Sequence, residues 1–413
     1  MLLDFTEARR WTFNYGLGVE IQSGAFGGRT DPEGTTGASP TVSFDVSRLN
    51  VGGRAHTLSF KSHLGNLQQR ALLSYDAPRL RNTNYLRLTL NLLYDNSLNV
   101  RTFTSQRMET SAQLEQIVSR VTTLLYRFTY RRIKASDLQI SLASLPLLSR
   151  PVRVGLPSFS YIREMRDDPI ESHSGSYTTL DAGIASGWFG SEASFGRLLI
   201  QNSTYHAFRS KRWILARNTQ IGIEEPFGST VTQLGVGGPS SSTVLIPLPE
   251  RFFAGGSNSL RGYSINQAGP RDPGTGQVLG GSAVFVNSLE LRTPAPSLPY
   301  VDNNLSFVIF HDFGNVFASA SEMGKNLLRW SQKDPQLCMA AATASQCNFS
   351  FMSHAAGAGI RYRTPIGPVR LDVGYNLNPP TYPFNETQPD GSTLFRSNTL
   401  GRWHFFFSIG QTF

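Results

Sequence analysis

The sequence predicts an all-β protein, a transmembrane antiparallel β-barrel, and three observations point to this class. Apolar and polar residues alternate with period two in many segments, as between Leu86 and Tyr94. Charged residues such as Arg87, Arg370 and Asp372 occur in the middle of these segments, on the polar side. Aromatic residues end many apolar faces, as in the girdles of outer-membrane barrels, and they include Tyr75, Tyr94, Tyr130, Tyr375 and Phe413.

Strict alternation places one face of a strand in an apolar medium and the other in a polar one. A soluble sandwich alternates as well, so the mid-strand charges and the terminal aromatic residues decide between the two classes. Because a bilayer offers no water to unpaired backbone groups, we expect the sheet to close into a cylinder.

The composition excludes several other classes of protein. The chain has 413 residues, of which 16% are charged and 11% aromatic. The charged share is low, since soluble domains have about 25%. No window of about 18 to 20 consecutive apolar residues exists, so a helical membrane bundle is excluded. The net charge is +9, but the basic residues are scattered along strand-like segments, so we do not expect nucleic acid as a partner.

About sixteen strands are predicted, within a single barrel domain that covers residues 1–413. The alternation of the sixth strand is blurred between Gln106 and Gln116, and a short helix is predicted in the loop at 321–332. The strands are predicted at roughly 11–21, 41–49, 56–65, 69–77, 84–95, 102–117, 121–132, 152–164, 174–188, 193–208, 212–224, 281–293, 305–317, 354–364, 369–375 and 403–413.

The connections between these strands alternate in length. Long connections follow odd-numbered strands, and most connections after even-numbered strands are short. This parity is expected of an even-stranded barrel with both termini on the same side of the membrane. The long connections are at about 22–40, 133–151, 225–280, 318–353 and 376–402.

Catalytic and metal-binding motifs are missing from the sequence. The seven histidines form no His-Glu-x-x-His motif, and no Gly-x-Ser-x-Gly motif occurs. Cys338 and Cys347 are nine residues apart and lack zinc-ligand spacing. They are either two free thiols or one disulfide, which needs an oxidising compartment. We therefore expect no enzyme, no metal and no cofactor.

A glycine-rich stretch, Arg251 to Tyr263, carries most of the functional information. It is neither a phosphate-binding loop, since no Gly-Lys-Ser/Thr follows, nor a dinucleotide-binding loop, since the glycine spacing is wrong and no helix follows. The segment Ala254-Gly-Gly256 with Leu260-Arg-Gly-Tyr263 resembles the lumen loop of the outer membrane protein 85 superfamily, which contains the assembly factors of the BamA and TamA type.

Further motifs resemble this family in the same order along the chain. They are the turn Arg166–Pro169, the strand motifs Ser288–Arg292 with Pro294 and Phe310–Val316, the segment Gly357–Tyr375 and the closing segment His404–Phe413. The resemblance is dense in the C-terminal half and rests on pattern alone in the N-terminal half. The count of sixteen strands also depends partly on it.

The resemblance implies that the loop after the eleventh strand folds back into the lumen and that its arginine, Arg261, contacts acidic residues of the wall. Glu290 and Asp312 lie on the polar sides of their strands, so they are the expected partners. A guanidinium forks onto carboxylates, and burying it without a partner would be costly. The predicted latch comprises Leu260, Arg261, Gly262, Tyr263, Glu290 and Asp312.

The resemblance also implies a lateral seam, where the first and last strands pair poorly and open sideways. Glycines lower the packing of a strand, and an unsatisfied edge can template an incoming strand. A fully zipped barrel is the alternative. The predicted seam residues are Trp11, Phe13, Tyr15, Gly16, Gly18, Phe405, Phe407, Ile409, Gly410 and Phe413.

The expected function is that of an assembly factor in the outer membrane of a Gram-negative-type bacterium. The expected partners are the lipid bilayer, unfolded outer-membrane protein clients and accessory lipoproteins. A two-partner-type secretion channel and a passive pore remain as alternatives. The first predicted strand begins within about ten residues of Met1, so this sequence does not include the soluble N-terminal repeats that such factors usually carry, and it is either a fragment or a barrel-only member.

Overall fold

The structure is a computed structural model that describes residues 9–22, 37–66, 68–100, 102–141, 148–169, 171–208, 213–231, 244–294, 305–364, 367–388, 390 and 392–409. Its main element is a 16-stranded antiparallel sheet in which neighbours along the chain are neighbours in the sheet, in the order β1 to β11, β14 to β17 and β20. These strands are β1 (Trp11–Gln22), β2 (Gly37–Val51), β3 (His56–Gly65), β4 (Gln68–Ala77), β5 (Leu86–Val100), β6 (Phe103–Ser119), β7 (Thr122–Ser136), β8 (Val152–Glu164), β9 (Gly175–Ala185), β10 (Phe195–Phe208), β11 (Trp213–Pro226), β14 (Ala283–Pro294), β15 (Leu305–Phe317), β16 (Ser353–Thr364), β17 (Gly367–Asn376) and β20 (Trp403–Ile409).

The remaining elements lie in the connections. The two-residue strands β12 (Thr230–Val231) and β13 (Val244–Leu245) pair in parallel, and β18 (Thr381–Thr387) pairs with β19 (Thr393–Thr399) in a separate hairpin. A seven-residue helix, α1 (Ala320–Asn326), follows β15. Ser319 caps this helix by accepting a hydrogen bond from the Glu322 backbone N–H.

The prediction of sixteen antiparallel strands is confirmed. The sixth strand, whose pattern is blurred, runs unbroken over Phe103–Ser119, because ladders with both neighbours hold it along most of its length. The hairpin β18–β19 and the pair β12–β13 are not predicted by the alternation. Their strands lie in loops, outside the sixteen-stranded sheet.

The prediction that the sheet closes is wrong. Within the described residues, β1 pairs with β2 and β20 pairs with β17, but no ladder joins β1 to β20. One of these two edges contains glycines, Gly16 and Gly18 on β1. Glycine in a strand interior weakens pairing.

The sheet nevertheless curls around one segment of the chain. Residues 244–281, called the lumen segment below, contact β7 through Glu250 and β17 through Gly262. Seven strands, β8 to β11 and β14 to β16, lie between β7 and β17 in the sheet order. Since one short segment reaches both, the sheet wraps around it and defines an inner and an outer face.

The two faces differ in chemistry. Glu290 and Asp312 are fully buried on the inner face, whereas their neighbours Leu289 and Ile309 are exposed on the outer face. The outer face of β5 likewise exposes Leu90, Leu92 and Tyr94. An apolar exterior and a polar interior are the pattern of a transmembrane barrel.

Among the described residues, every helix lacks the combination of length and apolar character that crossing a bilayer requires.

Candidate functional site in the lumen and at the strand edges

The lumen segment turns back on itself around paired glycines. Gly255 and Gly256 have φ angles of 119° and 101°, a region that side chains rarely adopt. A Cβ at Gly255 would also lie 2.4 Å from the Ser264 carbonyl oxygen. The turn buries Leu260 and Tyr263 in an apolar cluster with residues from the wall and from both neighbouring loops, and this packing holds the tip in place.

Arg261, between these two buried side chains, reaches the barrel wall. Its Nε and Nη2 donate to the Oδ2 and Oδ1 of Asp312 at 2.7 and 2.8 Å, and its Nη1 donates to Glu290 Oε1 at 2.6 Å. Ser288 Oγ accepts from Nη2 at 2.9 Å. The guanidinium also lies over the ring of Phe310, 3.5 Å from its centroid, so all three nitrogens and one planar face of the group contact the wall.

Arg261 is only 1% exposed, so its charge depends on these partners. Burial by itself would lower the pKa of Arg261, but the carboxylates of Asp312, Glu290 and Asp372 outweigh it and raise the pKa above its usual value. The group therefore stays charged at any physiological pH. Buried, hydrogen-bonded ion pairs of this kind lose much stability when one partner is removed.

The carboxylates that face Arg261 have further partners on the wall. Arg361 forks onto Asp372 at 2.5 and 3.0 Å and lies 3.5 Å from Glu290. Arg292 approaches the second oxygen of Glu290 at 3.1 Å. Four neighbouring strands, β14 to β17, thus share one ionic network with the lumen segment.

A glycine of the wall makes this approach possible. A Cβ at Gly374, on β17, would lie 2.1 Å from the carbonyl oxygen of Arg261. Beside it, Asn376 Nδ2 donates to the Gly262 carbonyl oxygen at 2.8 Å. The backbone of the lumen segment therefore rests directly on β17, the strand that pairs with β20.

A second ion pair fixes the lumen segment to the opposite wall. Arg131, on β7, forks onto Glu250 at 2.7 and 2.5 Å, and Arg197 lies 3.8 Å from the same carboxylate. Next to it, Arg251 donates to the carbonyl oxygens of Ile246 and Leu279 and so joins the two ends of the segment. Burial lowers the pKa of Arg251 to about 10, which still leaves it protonated at neutral pH.

The edges of the sheet contrast with the lumen. On β1, the outward side chains of Phe13, Tyr15 and Leu17 are exposed by 63, 88 and 85%. On β20, Trp403, Phe405 and Phe407 are also exposed. Both edges therefore present a row of large apolar side chains beside backbone groups that have no ladder partner on that side among the described residues.

The structure places most of the predicted site residues in two groups. Leu260, Arg261, Gly262, Tyr263, Glu290 and Asp312 meet in the lumen. The described seam residues of β1 and β20 lie on the two free edges, and Ile409 pairs with Val369. Gly410 and Phe413 lie outside the described residues. Cys338 and Cys347 are disulfide-bonded in the loop after β15.

Sequence reasoning missed several contributors to the lumen site. The alternation places Asp372 and Arg361 on the polar sides of their predicted strands, but it does not show that they join Arg261 in one ionic network. The pairing of Arg131 with Glu250 has no such signal, because the two residues are 119 positions apart. Gly374 interrupts an alternating strand, which is a weak sign of close backbone approach.

Most of the chain matches a known protein family. The model of the Omp85 superfamily domain matches residues 50–413. The chain belongs to the Omp85 superfamily.

Individual relatives support this membership. The outer membrane protein assembly factor BamA of Nitratidesulfovibrio vulgaris is 28% identical over 134 residues, which are 32% of this chain and 13% of that protein. Sorting and assembly machinery component 50 homolog A of Xenopus laevis is 28% identical over 144 residues, 34% of this chain and 26% of that protein. The matches thus span only a small part of these relatives' length.

A solved structure shows the same Omp85 fold. The crystal structure of BamA from Haemophilus ducreyi lacking POTRA domains 1–3 has a TM-score of 0.70 to this chain at 15% identity. The match covers 97% of this chain and 70% of that one. At this identity the likeness concerns the arrangement of the strands.

Proposed function

We propose that this chain is the membrane-embedded barrel of an outer-membrane protein assembly factor and that client strands enter at the free edges of β1 and β20. The observation that carries the proposal is the missing ladder between these two strands within the described part of the sheet. An unpaired strand edge exposes backbone N–H and C=O groups that can template another strand. Similarity to BamA and to a sorting and assembly machinery component supports the proposal.

In this proposal the latch holds the wall next to β20 in place. Asp312 and Glu290 hold Arg261 against β14 and β15, while Gly262 is bound to β17 through Asn376. Because β20 pairs with β17, the last strand borders the most heavily cross-linked part of the wall. The wall thus stays in register while the outer edge of β20 exchanges partners.

The proposed activity requires no covalent step and no catalytic residue. A client strand would exchange its hydrogen bonds to water for hydrogen bonds to a strand edge. The apolar side chains of that edge, such as Tyr15 and Phe405, would contact the bilayer beside it. The partners are the lipid bilayer and unfolded client barrels; accessory lipoproteins and the outer membrane of a Gram-negative-type bacterium remain predictions.

Locking the edges together tests the proposal. Tyr15→Cys and Phe407→Cys on the two outward faces would be joined by a flexible bifunctional maleimide, and the protein would be reconstituted in lipid vesicles. We expect the locked protein to lose its acceleration of client folding, because the edges cannot receive a strand. The measured quantity is the rate at which a denatured client barrel becomes resistant to protease.

A matched lock serves as the control. Tyr15 lies opposite Phe44 in the β1–β2 ladder, so linking Tyr15→Cys to Phe44→Cys uses one of the same positions without bridging the edges. This protein should retain the activity of the unlinked one. Full activity with β1 linked to β20 would rule out entry at these edges.

Conductance separates assembly from the secretion-channel and passive-pore alternatives. The lumen segment crosses from β7 to β17 and is bound on both sides, so the assembly proposal predicts small and unsteady currents in planar bilayers. A large steady current, together with no effect on client folding, would favour a pore.

A further inference from the structure

The first part of the loop between β15 and β16, from α1 to Trp330, lies against the outer face of the barrel. Met323 of α1 is buried and belongs to one apolar cluster with Ile221, Ile223, Phe285 and Phe313. Phe313 neighbours Asp312 in the strand, and Asp312 points into the lumen towards Arg261. Since successive strand residues point to opposite faces, the cluster and the helix lie on the outside.

The residues after the helix continue along the same outer face. The Trp330 ring stacks on His354 with 4.0 Å between centroids, and His354 stacks in turn on Phe313. Ala355, next to His354, lies opposite Asp312 on the inner face, so His354 points outwards. Trp330 therefore lies on the side of the wall that faces lipid.

The backbone of this stretch is fixed to its surroundings. The Met352 N–H donates to the Arg329 carbonyl oxygen at 2.8 Å, and Asn378 Nδ2 donates to the Trp330 carbonyl oxygen. The Gln332 side chain both donates to the Thr381 carbonyl oxygen and accepts from the Thr381 N–H, each at 2.8 Å. The loop thus holds its side chains in a set direction.

Three apolar side chains point away from the protein in this fixed stretch. Leu328 is 99% exposed, Trp330 53% and Leu327 40%. Adjacent apolar side chains that a protein leaves exposed mark contacts with a membrane or with a partner, so we expect this patch to be covered. Three side chains are also far fewer than the roughly 20 to 30 residues that each partner contributes to a stable protein interface.

Basic residues surround the patch. Lys325, Arg329 and Lys333 are all exposed, and Arg329 Nε donates to the neutral amide oxygen of Asn326 at 2.8 Å. The nearby carboxylate of Glu322 accepts a hydrogen bond from Ser350. The patch therefore combines apolar tips with positive charge, as in segments that lie at the surface of anionic membranes.

We propose that Leu327, Leu328 and Trp330 form a membrane anchor in the leaflet on this side of the barrel, and that Lys325, Arg329 and Lys333 bind the phosphate groups of anionic lipids. Tryptophan is favoured at the level of lipid headgroups. Long basic side chains extend from the apolar zone to charged groups at its surface. The anchor holds the loop, and through Trp330 and His354 it holds the β15–β16 side of the wall at a fixed depth.

Spin labels measure the depth of the patch directly. The label is placed at Leu328→Cys in the full chain, refolded into vesicles of phosphatidylcholine with and without phosphatidylglycerol. Ile309→Cys, exposed on the outer face of β15, serves as the lipid reference, and Ser392→Cys, exposed in the neighbouring hairpin loop, serves as the water reference. The readout is the ratio of collision rates with oxygen and with a water-soluble nickel complex.

We expect the ratio at residue 328 to lie several-fold above that at residue 392 and near that at residue 309. A ratio equal to that at residue 392 in both kinds of vesicle would overturn the anchor. A label that becomes shielded only when another protein is added would also overturn it, in favour of a protein partner. Heat-modifiable mobility in gels shows whether each labelled barrel is folded.

The charges are tested by a triple variant, Lys325→Gln, Arg329→Gln and Lys333→Gln. We expect it to lower the depth ratio at residue 328 only in vesicles that contain phosphatidylglycerol. The same ratio for both proteins in those vesicles would contradict the binding of anionic headgroups. None of these residues belongs to the latch or to the strand edges, so client folding need not change.

Discussion

The β14–β17 wall and β1 belong to the same sheet, but along their described residues ion pairs cross-link the inner face of the wall and not that of β1. The wall is cross-linked by Arg261, Arg361 and their three carboxylates. On β1, Gly16 and Gly18 stand where the wall carries charged side chains, and the outer neighbour is missing among the described residues. Buried ion pairs are thus concentrated next to β20, whereas the proposed exchange of partners takes place at the edges.

This comparison predicts that substitutions in the latch act on stability and that substitutions at the edge act on client folding. The physical reason is burial. A charge such as Arg261 that is withdrawn from water needs its partners, whereas an edge residue has few partners to lose.

The largest effect is expected for Arg261→Ala. It leaves Glu290 and Asp312 buried without their main cation, so we expect the free energy of unfolding to fall by about 3–5 kcal/mol. Urea titration of the barrel in vesicles, followed by tryptophan fluorescence, measures the change. Arg396→Ala is the control, because Arg396 pairs with Glu386 on the surface and such pairs contribute about 0–1 kcal/mol. Equal losses for the two variants would contradict the latch.

A smaller effect is expected for Gly374→Ala. The new methyl group would meet the backbone of Arg261, which is held by Asp312 and cannot move away freely. Forcing extra atoms into a packed site typically destabilises by about 1–3 kcal/mol, and the same urea titration measures it. Gly196→Ala, on β10 with nothing within 4 Å of the new atom, should be close to neutral. A neutral Gly374→Ala would show that the lumen segment does not rest on β17.

The smallest effect is expected for Gly16→Ala. Its methyl group would meet only the Ser43 hydroxyl, at 2.6 Å, and that side chain can rotate away. Replacing glycine without strain restricts the unfolded chain and stabilises by about 0.4–1 kcal/mol. The double variant with Ser43→Ala removes the one close contact and should behave alike in urea titration. A loss as large as that of Gly374→Ala would mean that β1 is packed as tightly as the wall.

Much of the lumen site could be predicted from the sequence, because its acidic contributors lie on strands with a clear alternation. The polar side of β14 and β15 gives the direction of Glu290 and Asp312, and the resemblance of the Arg261 segment to a known lumen loop supplies the third partner. The ion pair of Arg131 with Glu250 could not be predicted, since no local pattern relates a strand residue to a loop residue 119 positions away. The position of α1 and Trp330 on the outer face could not be predicted from the sequence either, because the apolar residues of this loop are too few to form a periodic pattern.

The sequence by itself determined that the chain forms sixteen antiparallel strands with one apolar and one polar face. Alternation is a local property. The residues of each strand show by themselves which of its faces is apolar and which is polar. Only the tertiary structure decided that β1 and β20 do not pair along their described residues and which partners surround Arg261. Those outcomes depend on how the curl of the whole sheet brings distant strands together, and no single stretch of residues encodes the distance across a lumen.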